Sequence, residues 1–196
     1  MREPVTEEQL DDLVLGAGTA TPHERHDLAE RFRTWADEPH PLDEVSPREL
    51  LTQAGEQHEL AGDDEAALEL YRRAAASPGP VALDPRCLVI HLLHRRGEHD
   101  QADELEQRLR RSRPRQASTY EYMGEVCVEL GETARALGWF NRGITLAEDE
   151  GLLEAEMGGL CLARWRLRER LGHDPDQYDE FGRDHHARLL RDLPRT

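Results

Sequence analysis

Three glycines constrain this chain more than any other feature. Gly62, Gly97 and Gly131 lie 35 and 34 residues apart, in the settings Ala-Gly-Asp, Arg-Gly-Glu and Leu-Gly-Glu. Spacing of this size marks a repeated supersecondary unit, which cannot bury its apolar face alone and so stacks on its neighbours. Other residues keep the same register. Five residues after each glycine stands an alanine (Ala67, Ala102, Ala136), seven before stand Gly55, Ile90 and Gly124, and nine after stand Tyr71, Glu106 and Phe140. A glycine past a helix end allows the left-handed residue that closes it. Small residues on either side of the turn let two helices approach closely. Each unit therefore predicts a helix, a tight turn and a second helix.

Helix-start signals recur along the chain. Thr6-x-x-Gln9, Thr21-Pro22-x-Glu24, Ser46-Pro47-x-Glu49 and Asp174-Pro175-x-Gln177 place a capping oxygen three residues before Glu or Gln, and Asp84-Pro85 gives a similar start. Alternating β-branched runs are missing, and only two isoleucines occur, Ile90 and Ile144. The pattern predicts an all-α protein with helices near 7–15, 22–37, 47–61, 64–77, 85–96, 99–112, 116–130, 133–148, 152–171 and 175–192. Four arginines against 12 acids make residues 1–46 an acidic helical segment, joined by the loop Glu38 to Val45 to a repeat domain over 47–196.

On the glycine, alanine, small-residue and aromatic register, the chain resembles the tetratricopeptide repeat family. The units run 47–80, 81–114 and 115–148, and the second matches less well, with Ile90 and Glu106 replacing the small residue and the aromatic. A divergent pair over 152–192 turns at Gly172, keeps Phe181, and has Trp165 where the small residue is expected. The resemblance implies an α-solenoid of antiparallel helix pairs, about ten helices in a right-handed superhelix. It also implies a concave groove lined by the first helix of each pair. Carried onto this register, the groove positions are Glu49, Thr52, Glu56 and Glu59, then Asp84, Cys87, His91 and His94, then Ser118, Glu121, Glu125 and Val128. The carboxylate-clamp side chains that some family members use for acidic tails are missing: Thr52, Glu56, Ser118 and Tyr122 occupy those places.

Charge narrows the partner. With 25 arginines and no lysine against 41 acids, the net charge is -16 and the summed field repels nucleic acid. The acidic groove positions suit a basic protein or peptide segment, although glutamates also simply solvate exposed helix faces. This makes the chain a protein-binding adaptor or scaffold. One alternative is a self-associating module whose last pair buries Trp165, Leu167 and Leu171 in a homodimer; another is a metal-dependent regulatory domain. His91-x-x-His94, with Cys87 four residues before, has metal-competent helical spacing, but such histidines are also ordinary polar surface. His23-x-x-His26 sits on a helix that reads as solvated, and no metal or other cofactor is assigned. No nucleophile elbow, phosphate loop or dinucleotide fingerprint occurs, so the chain does not read as an enzyme. Cys87, Cys127 and Cys161 form no CxxC pair and read as buried filler in a reduced, cytoplasmic and, from its arginine-only usage, bacterial protein. No apolar run approaches the roughly 20 residues of a membrane span.

Overall fold

The structure is a computed structural model that describes residues 2–152 and 154–192. Among them are ten α-helices and no strand. The helices are α1 (Glu7–Gly16), α2 (Pro22–Asp37), α3 (Pro47–Leu60), α4 (Asp64–Ala76), α5 (Pro85–Arg95), α6 (His99–Ser112), α7 (Ala117–Glu129), α8 (Thr133–Glu150), α9 (Glu154–Arg170) and α10 (Gln177–Asp192). Consecutive helices pack on one another within each of the two parts described below, as in a helical-repeat fold. No helix among the described residues is long and apolar enough to cross a membrane.

The start signals work locally as expected. Thr6 and Ser46 accept the amides of Gln9 and Glu49, and Thr21 with Glu24 forms a complete capping box. The fourth signal is displaced. Helix α10 starts at Gln177, so Asp176 and not Asp174 receives the first amides, from Tyr178 at 3.1 Å and Asp179 at 3.2 Å. Asp179 answers by accepting the Asp176 amide at 3.1 Å, which fixes the later start.

The chain divides into two compact units, Met1–Arg111 and Ser112–Thr196. The acidic first 46 residues fall within the first unit. Helix α2 is polar outside, but Ala29, Phe32 and Ala36 bury against Leu50, Leu51 and Ala54 of α3, with Val5, Leu10 and Val45 closing the edges. Burying a side chain such as Phe32 contributes about 1.5–3 kcal/mol, enough to fuse the segment to the first repeat pair. Arg2 ties the N-terminus down through Asp43, which also accepts the amides of Val5 at 2.8 Å and His40 at 2.7 Å. These bonds, led by the Arg2 pairing, hold the Asp43 carboxyl down to about 2.

The register of small and aromatic residues has a steric cause. A Cβ at Gly55 would stand 2.5 Å from the Tyr71 ring, and one at Gly124 would stand 2.2 Å from Phe140, so both rings lie where a larger side chain would be. In the last pair the small residue moves to the second helix. There Gly182 of α10 meets the backbone of Cys161 in α9, where a Cβ would come within 2.4 Å of the carbonyl oxygen. Trp165, at the position of the earlier glycines, is left half-buried. The core of the second unit is otherwise built from Met123, Trp139, Phe140, Ile144 and Leu160, with Tyr120 set edge-on to Trp139 at 5.6 Å.

Candidate functional site

Helix α3 carries the first four groove positions, and they divide by burial. Glu49 accepts Gln53 Nε2 at 3.2 Å and the Ala82 amide at 3.0 Å, so it holds the segment before α5 while lining a cavity of about 300 Å³ with Glu7, Asp11 and Glu44. Thr52 is buried and donates to the Arg48 carbonyl at 2.9 Å, so it presents nothing to a groove. Glu56 is half-buried. Burial above all, and then the charges of Glu49 and Glu59, push its carboxyl up to about 7. Glu59 accepts the Tyr71 hydroxyl at 2.8 Å and pairs with Arg95.

On α5 three of the four expected positions lie inside. Asp84 caps the helix through the Arg86 amide at 3.0 Å and is clasped by the Arg86 guanidinium at 2.6 Å. Cys87 has no exposed surface, and His94 is buried with Nδ1 3.2 Å from Nδ1 of His99. Only His91 is half-exposed. The reason is that α5 is a central helix, with Pro85, Cys87–Ile90 and Leu92–His94 all buried, so its polar-looking residues cannot define an outer face.

Helix α7 carries the third set of these positions. Glu121, Glu125 and Val128 meet Gly159, Leu162 and Ala163 of α9 across a cavity of about 390 Å³ floored by Phe140. Glu121 lies over the bare backbone of Gly159, where a Cβ would come within 2.8 Å of its carboxylate oxygens. Ser118 is half-buried on the same helix. Burial and then the neighbouring charge of Glu125 raise the Glu121 carboxyl above the usual range; burial and then Glu129 do the same to Glu125, opposed by Arg166. Arg166 and Arg170 of α9 also line the cavity, and sequence analysis did not place them there. Helix α9 lies outside the three repeat units of the sequence register, so no register assigned its face.

The arginines of α9 separate by side. Arg164 turns inward, donating to Asn141 at 2.7 Å, to Asp176 at 2.6 Å and 3.0 Å, and to Asp179 at 2.5 Å. Arg168 adds a bond to Asp179 at 2.8 Å. The three residues expected at a dimer face separate too, because Leu167 is buried, Trp165 is half-buried, and only Leu171 is exposed.

Two groups of described residues bring imidazoles and carboxylates within metal-ligand range. One is His94 with Asp103 and Glu106, and the other is His26 and His58 with Asp63. Neither includes the expected combination of Cys87, His91 and His94. In comparisons with protein-family models, curated proteins and solved structures, nothing matches this chain.

Proposed function

We propose that the protein is a non-enzymatic adaptor of the tetratricopeptide-like kind, which captures a basic segment of a partner protein in the cleft between α7 and α9. The supporting observation is the convergence of Glu121, Glu125 and Val128 on the apolar floor of Leu162, Ala163 and Phe140 in one cavity. Carboxylates withdrawn from water beside like charges are stabilised by an arriving cation, and the apolar floor supplies contact area along an extended chain. Arg166 and Arg170 at the rim favour a segment in which a basic residue is followed by an acidic or amide one. Three buried free thiols suit a reducing, cytoplasmic setting.

The test is fluorescence anisotropy of labelled peptides that carry Arg or Lys within an apolar context. Glu121→Gln with Glu125→Gln should weaken binding about tenfold and flatten its dependence on salt. Peptide binding indifferent to both substitutions and to salt would remove the cleft as the site. A second reading, self-association, is favoured by the exposure of Leu171, Leu189 and Leu190. Light scattering that shows a monomer at every concentration ends it.

A further inference from the structure

The turn between α3 and α4 brings together side chains that the other turns do not. Gly62 adopts φ +85°, and the amide of Asp63 returns to the carbonyl of His58 at 2.9 Å. This closing bond sets the side chains of residues five apart beside each other across the turn. The same bond joins Glu98 to Leu93, Glu132 to Cys127 and His173 to Arg168, at 2.9, 2.8 and 3.0 Å. Only the first turn pairs an imidazole with a carboxylate in this way.

Asp63 divides its two oxygens. Oδ1 accepts the Ala66 amide at 3.1 Å and caps α4. Oδ2 faces His58 Nδ1 at 3.7 Å and His26 Nε2, arriving from α2, at 3.9 Å. Both distances are too long for hydrogen bonds. Both ring nitrogens are shut off from solvent and have no hydrogen-bond partner, and His58 as a residue is only 8% exposed. A buried ring nitrogen without a partner is costly, and two of them aimed at one carboxylate oxygen lack a common partner that accepts lone pairs. All three atoms lie within 4.8 Å of one another. Ligands about 2.0–2.1 Å from a tetrahedral ion stand about 3.3 Å apart, so small side-chain rotations close the set.

We propose that His26 Nε2, His58 Nδ1 and Asp63 Oδ2 form a binding site for one divalent first-row transition-metal ion of the zinc class. Two imidazoles and a carboxylate suit zinc, cobalt or nickel and disfavour calcium or magnesium, which take oxygen ligands. The side chains of His26 and Asp63 are 40% and 44% exposed, so the ion enters from solvent and keeps a fourth position for water or an outside ligand. Burial, ahead of the opposing charge of Asp63, lowers the His58 pKa. Ligation uses the Nε2–H tautomer of His58 and the Nδ1–H tautomer of His26.

The experiment starts from full-length protein stripped with a chelator and dialysed. Calorimetric titration with Zn²⁺ should show one tight ion per chain, and Co²⁺ should give the visible absorption of a tetrahedral site. His26→Ala and Asp63→Asn should each weaken that binding at least tenfold. Asparagine preserves the cap on α4, and His26 is half-exposed and makes no hydrogen bond through Nε2, so both variants should melt like the metal-free parent. His23→Ala, one turn away on α2, should bind like the wild type. Failure of the wild type to take up zinc overturns the proposal, as does tight binding that survives either His26→Ala or Asp63→Asn.

Discussion

Arg164 and Arg168 in the second unit, and His26 and His58 in the first, are alike in being drawn toward aspartates within helical pairs, yet their surroundings differ. Around Arg164 the chain supplies the complement itself: Asn141, Asp176 and Asp179 take up its donors, and Asp179, 1% exposed, is shared with Arg168. Around Asp63 two imidazole nitrogens point at one oxygen with no hydrogen bond between them. A buried polar cluster closed upon itself serves architecture. One that stays open marks a place for something the chain does not encode.

The largest test of this contrast is Asp179→Ala, which leaves two buried or half-buried guanidiniums without their shared partner. It should cost about 3–5 kcal/mol in urea unfolding. A loss below about 1 kcal/mol would mean that the arginine network is ornamental. The opposite sign is expected at the open cluster: in chelator, His58→Leu should stabilise the protein by about 1 kcal/mol, because it removes a polar atom that lacks a partner. Destabilisation by a similar amount would place His58 in a closed network after all. Acid should distinguish the two units next. The Arg164 pairing first, and then the hydrogen bond from the Asp179 amide, hold the Asp176 carboxyl down to about 2 from its ordinary 3.8. Its folded-state pKa is depressed, so its contribution is fully present above pH about 4 and is lost as pH falls through about 2. Asp176 is 38% exposed, so solvent screening reduces the contribution to about 1 kcal/mol. Unfolding profiles of the wild type and Asp176→Asn should converge below pH 2, and parallel profiles would contradict the pairing. The smallest effect belongs to His26→Ala in metal-free protein, within about 0.5 kcal/mol by thermal melting, as for a half-exposed side chain without a hydrogen bond.

The helices were legible because their signals are local. Turn glycines, capping oxygens and apolar spacing act within one or two turns of the chain, and these placed all ten helices nearly in register. Charge reports the solvent side of α2, whereas Ala29, Phe32 and Ala36 on its other side decide what it joins. Asp84, Cys87 and His94 are buried because a helix covered on nearly every side has no outer face for a register to find. Glu121, Glu125 and Val128 line one cavity because α7 keeps one open flank. The arginine network could have been read from the spacing. Arg164 and Arg168 share a helical face at i and i+4, and Asp176 and Asp179 do so at i and i+3. The pairing of His58 with Asp63 was latent in the turn itself, since the residue after the glycine always meets the one five before it. His26 was not, because 32 residues and the packing of α2 on α3 separate it from His58.

Asp63 fastens the beginning of α4 with one oxygen and offers the other to the two imidazoles. Any ion held there would therefore pull on a helix. Coupling of this sort runs both ways: an occupied site stiffens the first turn of α4, and a frayed first turn loosens the ion by the same factor. The amide of Ala66 sits at that junction, and its hydrogen exchange is the place where a metal, if present, would be heard by the rest of the fold.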